Sequence, residues 1–548
     1  MKRNILVMAA VLASSLSFAQ NDTLRAVVNI ASDYTPMTIP VKKMNFTPEA
    51  VDNAARRTPE IVFSESSMPF SGFISEKSTK EVTHKAQQPY NGYVRAGYGV
   101  INELDAKAAC SYDITSRDNV NAFASIDGYK RALDGEIHDW KSRFYNTMFG
   151  FNYSHRFNYL KLDVDAGLGN MVFNYQDAGF NNGHTDKQNS MEYRFGIRGA
   201  SSLSGPFAYT FKAGYTHNTR KYSSDARQRI SENRIIAGGT LSCRVDDSEL
   251  EKFGIDLDVN TFLYNRALRN SVNGYKDYVS VNVDPYLDFN FFGWKFRLGT
   301  SMNVITANGP VFSIAPDLRL RKDFANSIAL FASVAGGRED NTFAKMQSLT
   351  PYWGHEAATS WQLKPTYRVV DLLVGSSYTL EPLSVEVTAG YAYTKDDMLQ
   401  TMVVSQNAYI YTNFAQQNTH NAHAFARVGY DFGGWFKVSG DARYDFWHGA
   451  NKDLLVLKPE ITCNVNAELR LFRNLTLNAG YNFTRYTRSE LGKRVGLKND
   501  LNAKIAYQFT PWIGAYIQGE NLLNDSYYDY AGYFARGARG VIGVSANF

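Results

Sequence analysis

Leu475-Thr476-Leu477-Asn478-Ala479-Gly480-Tyr481-Asn482-Phe483 sets an apolar side chain at every odd position and a small or polar one between. Residues 501–509 repeat the pattern: Leu501, Ala503, Ile505, Tyr507 and Phe509 alternate with Asn502, Lys504, Ala506 and Gln508. In 436–446 the contrast sharpens. Phe436, Val438, Ala442, Tyr444 and Phe446 fall on one face, and Lys437, Ser439, Asp441, Arg443 and Asp445 on the other. An extended strand points successive side chains to opposite faces. A strand built this way needs water on one side and an apolar phase on the other.

The alternation begins near Tyr90 and persists to Phe548. Segmenting it predicts a closed antiparallel all-β barrel of about 22 strands, with 18–24 acceptable. The expected starts are 92, 106, 119, 142, 159, 189, 207, 234, 254, 278, 294, 312, 328, 368, 383, 421, 435, 459, 474, 500, 512 and 540. Tight connections such as Ser116-Arg117-Asp118, Asn158, Glu381-Pro382 and Gly433-Gly434 alternate with longer polar loops such as 337–366 and 396–419. Short periplasmic turns and long extracellular loops produce this asymmetry in bacterial outer-membrane barrels. A soluble sandwich has no reason to segregate its loops. The expected location is the outer membrane, crossed many times, with its lipids as the surrounding partner.

The start of the chain agrees. Lys2 and Arg3 precede an apolar run, Ile5 to Leu12, and Ser17-Phe18-Ala19 offers small residues for cleavage. Residues 1–19 read as a signal peptide. Residues 20–88 contain Pro36, Pro40, Pro48, Pro59 and Pro69 and little periodicity. They read as a proline-rich segment in the periplasm or lumen, and the barrel as 89–548.

Composition narrows the class further. Aromatic residues make up 14% of the chain, with 35 Tyr and 35 Phe, yet only 44% of residues are hydrophobic. Strands with one apolar face average to this. A net charge of +5 over 548 residues does not point to nucleic acid. Cys110, Cys243 and Cys463 are odd in number and far apart. By alternation each lies on an apolar face and serves as a small apolar residue with a free thiol.

Near the end stands Glu520-Asn521-Leu522-Leu523-Asn524-Asp525-Ser526-Tyr527-Tyr528, then Gly532-Tyr533. This resembles the last hairpin of TonB-dependent receptors, where an N-L-[FL]-[ND] element and a Tyr precede the final loop. In that family Pro-Gly-Arg leads into the last strand; here Ala535-Arg536-Gly537-Ala538-Arg539 takes its place. A last strand ending in Phe548 resembles the signal read by the barrel-assembly machinery, which the resemblance makes a partner during biogenesis. The resemblance implies a barrel of the transport type. It departs at the other end, where 20–88 is too short for that family's globular plug and no complete plug is expected.

Charges on strands say which face meets lipid. Lys161, Asp163 and Asp165 share a face, as do Asp256 and Asp258, Lys295 and Arg297, and Asp317, Arg319 and Arg321. With Lys437, Asp441, Arg443 and Asp445 they are expected to point into the lumen. A basic side chain against lipid at the midplane costs about 2–4 kcal/mol. Mutual neutralisation across strands is one reading of these charges, and selection of a solute or retention of an inserted segment the other. No catalytic, cofactor or metal site is expected. His420 and His423, three apart on a strand, lack ligand geometry, and His138-Asp139 has no nucleophile at a recognisable spacing. Two functions remain open: transport or translocation across the outer membrane, and a structural or accessory role in an outer-membrane complex with a membrane or periplasmic protein partner.

Overall fold

Alternation of this length can close on itself, and it does. The computed structural model describes residues 91–548 except 100–101, 134–138, 178–186, 202–205, 222–228, 246–249, 271–273, 325–326, 355–361, 405–408, 473 and 489–495. The expected signal peptide and the segment 20–88 lie outside the described residues. Among the described residues one sheet holds 23 strands. One of these is the two-residue Gln176–Asp177, and the other 22 form a closed antiparallel barrel. Gly92–Gly99 pairs with Glu103–Asp113 on one side and with Arg539–Asn547 on the other, so the wall has no edge.

Eight strands start where the alternation puts them, at 92, 207, 278, 294, 312, 328, 383 and 459. The large exception is the strand expected from 421, which spans Tyr409–Asp431. The polar loop expected at 396–419 is instead the continuation of a hairpin. Leu383–Val404 and Tyr409–Asp431 stay paired as far as Val404 and Ile410, across a register shift between Thr394 and Asp397. The Gln- and Asn-rich sequence hid apolar residues that are buried here: Met398, Leu399, Ile410 and Phe414. The other expected polar loop, 337–366, contains the helix Phe343–Leu349, whose N-cap Thr342 accepts a hydrogen bond from the Lys345 amide.

The outward face carries large apolar side chains in the open, among them Tyr112, Phe195, Leu241, Val374, Phe446 and Val544. Water would penalise such a belt, whereas lipid accepts it. Phe157, Tyr159, Phe292, Trp435, Phe509 and Trp512 add an exposed aromatic collar at the short-turn end, as amphipathic rings do at a membrane interface. Cys110, Cys243 and Cys463 are free, on the second, eighth and eighteenth barrel strands.

Closure rests on the shortest strands, so the seam is reinforced. The Gly92 amide donates to the Phe548 carbonyl at 2.8 Å, and the Phe548 amide returns the bond at 2.9 Å. A Cβ on Gly92 would lie 2.7 Å from the Phe548 ring. Further along the seam, Tyr516 lies across Gly97 and Gly543, which face each other in adjacent strands. At the long-loop end Glu103, buried, binds Arg536 at 2.5 Å and Arg539 at 3.1 Å, and Arg539 also pairs with Glu520. This cluster ties the second strand to the last across the first.

Glu103→Ala should leave two cations without their carboxylate and cost roughly 3–5 kcal/mol. The readout is the urea midpoint of the heat-modifiable band on gels, which should fall well below that of wild type and recover partly in Glu103→Gln; an unchanged midpoint would remove the cluster from the account of closure. Alkylation of unreduced, detergent-unfolded protein should modify all three cysteines by mass spectrometry. Any disulfide among them would contradict the strand order, since its Cα atoms need to approach within about 7 Å.

Candidate functional site

The residues that stand out cluster at the long-loop mouth. Tyr129 lies on the third barrel strand, Asp118–Leu133. The loop 340–365 joins the thirteenth and fourteenth, Ile328–Glu339 and Thr366–Leu380. In a closed ring of 22 the third and fourteenth strands are half a circumference apart. With strands about 4.8 Å apart and tilted, such a ring is roughly 40 Å wide. Yet the Tyr129 and Tyr352 hydroxyls lie 3.4 Å from each other. The loop crosses the opening.

Several contacts seat it. The Phe343 amide at the start of the helix donates to buried Glu232 at 3.1 Å. Trp353 bridges to Thr412 on the extended hairpin: the Thr412 amide donates to the Tyr352 carbonyl at 3.0 Å and the Gly354 amide to the Thr412 carbonyl at 2.9 Å. The same hairpin pairs with Gln176–Asp177. From the loop 521–538, Tyr533 stacks on Tyr352 with ring centres 3.8 Å apart, and its hydroxyl donates to the Ile410 carbonyl at 2.5 Å. Burial pushes the Tyr352 and Tyr533 phenols well above the ordinary tyrosine range, so both remain protonated donors.

Arg220 pins the centre. It is 1% exposed, held between the Phe173 ring at 4.7 Å and the Trp353 ring at 4.3 Å. Its guanidinium donates to Gln347 Oε1 at 2.7 Å, Tyr175 Oη at 3.0 Å, and the Pro351 and Trp353 carbonyls at 2.8 and 2.7 Å. All four acceptors are neutral. Around this point two buried aromatic clusters, one holding Phe262, Phe343 and Trp353 and the other Trp140, Phe173 and Tyr533, fill the mouth. Burying each large ring contributes about 1.5–3 kcal/mol, so the cap is a packed core rather than a set of loose loops. Arg220 and Tyr352 were not singled out from sequence, and Tyr533 was quoted only as part of the last hairpin. The local signal is the run of large apolar residues in the loop, Phe343, Met346, Leu349, Tyr352 and Trp353.

The charged strand residues sit opposite the exposed apolar ones, and nearly all have partners. Lys161 pairs with Asp163 at 3.1 Å, Asp165 with Arg198 at 3.2 Å and Asp258 with Lys212 at 2.5 Å. Lys295 reaches Asp323 at 3.7 Å, Arg297 reaches Asp288 at 2.7 Å, Arg319 reaches Asp317 at 2.9 Å and Arg321 reaches Asp323 at 2.8 Å. Lys437 pairs with Asp431 at 3.0 Å and Arg443 with Asp445 at 2.8 Å, while Asp441 accepts from Asn464 at 2.8 Å. Asp256 stands directly across from Asp284. These residues belong to separate sectors of the wall rather than to one site. Phe548 lies at the seam. His420 stacks on Tyr393 with ring centres 4.5 Å apart, whereas His423 bonds Asn421 at 3.0 Å on the opposite face, as a spacing of three on a strand requires. Among the described residues no group of His, Cys, Asp and Glu is arranged to hold a metal.

No family model matches this chain, and no curated protein matches its sequence. Solved structures do match its fold. The ferric enterobactin receptor of Pseudomonas aeruginosa superposes with a TM-score of 0.62 at 11% identity, over 83% of this chain and 81% of that one. A copper transporter, OprC, gives 0.59 at 12% identity, over 83% and 80%. The siderophore receptor PiuA of Acinetobacter baumannii gives 0.58 at 10% identity, over 83% and 82%. By fold, therefore, this chain is a TonB-dependent receptor-like β-barrel, closed by 22 antiparallel strands.

Proposed function

We propose that this chain is an outer-membrane transport barrel whose mouth is closed by its own loops, and that residues 20–88 form no complete plug. The observation that carries the reading is the segment 340–354 lying across the opening, fastened by Arg220 and by the Tyr352–Tyr533 stack. A ring this wide would breach the membrane if left open. A cap made of the protein's own loops supplies a closure that gives way to cargo at the point where cargo arrives. The relatives by fold are receptors and transporters whose names specify ferric enterobactin, copper and siderophores, and transport is the part of their function that the shared barrel supports. For this chain the cargo is polar and hydrated, in keeping with a wall whose charges neutralise one another locally.

We place the fourteen charged strand residues, from Lys161 to Asp445, on the lumenal wall. Their pairing favours a wet, neutral interior over a selectivity ring. Phe548 and the last strand serve as the element that the assembly machinery reads.

Two experiments check this. In planar bilayers the wild-type barrel should be nearly silent. Arg220→Met, which keeps the apolar stem but loses all four hydrogen bonds, should open long-lived conductances at least tenfold more often. Lys cannot supply the planar fork and should not rescue. If the variant stays as silent as wild type, the cap is not the closure and the accessory role becomes the better reading. Single cysteines at Asp163, Arg297 and Asp441 should react with a water-soluble maleimide and resist lipid-phase spin-probe quenching. The reverse pattern would exchange the two faces, as a slip of one residue does.

A further inference from the structure

The carboxyl group on which the cap helix rests has no counter-ion among the described residues. Glu232 is 1% exposed and lies on the inner face of the eighth barrel strand, Arg229–Arg244. Its Oε1 accepts the Phe343 amide at 3.1 Å, and its Oε2 is sealed from water with no hydrogen-bond partner. The register sets Asn218 and Tyr264 opposite it on the two neighbouring strands. Tyr264, Tyr275 and Tyr278 face it with phenols. The Tyr264 and Tyr275 rings also pack on Phe343, with centres 6.1 and 6.2 Å away. Every cation nearby is committed elsewhere. Arg234, next on the same face of its own strand, forks onto Asn260 Oδ1 at 3.0 and 2.8 Å. Arg220, on the neighbouring strand, donates to its four neutral acceptors. Arg338 binds Asp340 at 2.8 Å and Asn303 at 2.7 Å, and Lys345, on the cap helix itself, binds Glu339 at 3.0 Å. Asp340, which also faces Glu232, adds a second negative charge. A carboxyl buried in this way is far costlier ionised than neutral.

We propose that Glu232 is a proton latch for the cap: neutral while the helix Phe343–Leu349 sits on it, and ionised once the helix lifts and water enters, so that the mouth opens more readily as pH rises. The bond to Phe343 makes the carboxyl part of the helix's seat as well as of the wall. Lifting the helix takes away the Phe343 ring and amide together and hydrates both oxygens. Closure therefore takes up one proton from water, and opening returns it. The sign follows from that exchange. The proton's contribution to closure is complete below the ordinary glutamate value of about 4.3. It is lost as pH rises, by at most about a factor of ten per pH unit for a single proton. The barrel is thus shut most firmly in acid surroundings. The inference rests on the cap being the closure, and names what loosens it.

The test records the full chain in planar bilayers at about pH 5 and about pH 8, with wild type opening roughly fivefold more often, or beyond, at the higher value. Glu232→Gln keeps an acceptor for the Phe343 amide but cannot ionise, and should hold the low acid frequency at both. Should that variant fail to assemble, Glu232→Met serves instead and should open equally often at the two values. Arg220→Met, recorded alongside, separates two failures. If it opens at both values while wild type shows no difference between them, the latch is overturned and the cap stands. If it is silent at both, the cap is overturned and the latch with it. Wild-type pH dependence surviving in Glu232→Gln would also overturn the latch, since the titrating group would then lie elsewhere.

Discussion

Everything in this molecule depends on the pairing of the first strand with the last. In hydrocarbon an unsatisfied backbone amide or carbonyl costs several kcal/mol, so a sheet in a membrane survives only without an edge. The seam meets that demand with short strands, and it compensates for their length in other ways. Gly92 gives up its side chain so that the Phe548 ring fits. Tyr516 covers two facing glycines, and Glu103 gathers Arg536 and Arg539 from beyond the first strand. The outer cap in turn needs the ring, because its components hang from strands all around it.

The wall was legible in the sequence and the cap was not. Period-two alternation is a local signal, read a few residues at a time, and it placed strands such as 278 and 312 to the residue. It also assigned Lys161, Arg297 and Asp441 to the polar face, because the energy of a charge in lipid depends only on which side it lies. The cap draws on the opposite kind of information. Residues 397–404 and 409–417 look like loop because their apolar runs, such as Met402-Val403-Val404 and Tyr409-Ile410-Tyr411, do not alternate and are broken by Gln400, Asn413, Gln416 and Gln417. Met398 and Phe414 become core only when helix Phe343–Leu349 and Trp353 arrive from elsewhere. Likewise Arg220 reads as one more strand cation until the loop carbonyls that it holds are known.

The place of Pro-Gly-Arg before the last strand is instructive for the same reason. Arg536 stands in that place and does work a local motif would not reveal: its guanidinium lies 4.4 Å from the centre of the Tyr129 ring while it binds Glu103. A short sequence element that looks like a turn thus connects the seam to the cap.

The contacts that shut the mouth are also far apart in time of synthesis. Tyr129 meets Tyr352 across 223 positions, Gln176 meets Tyr533 across 357, and Glu103 meets Arg536 across 433. Contacts of such separation carry the full entropy of closing the intervening chain and form late. A barrel missing its last hairpin has neither a closed wall nor a Tyr533 to stack on Tyr352. Such an intermediate would be a hole roughly 40 Å wide. The final residues thus complete both the ring and the packing around Tyr352.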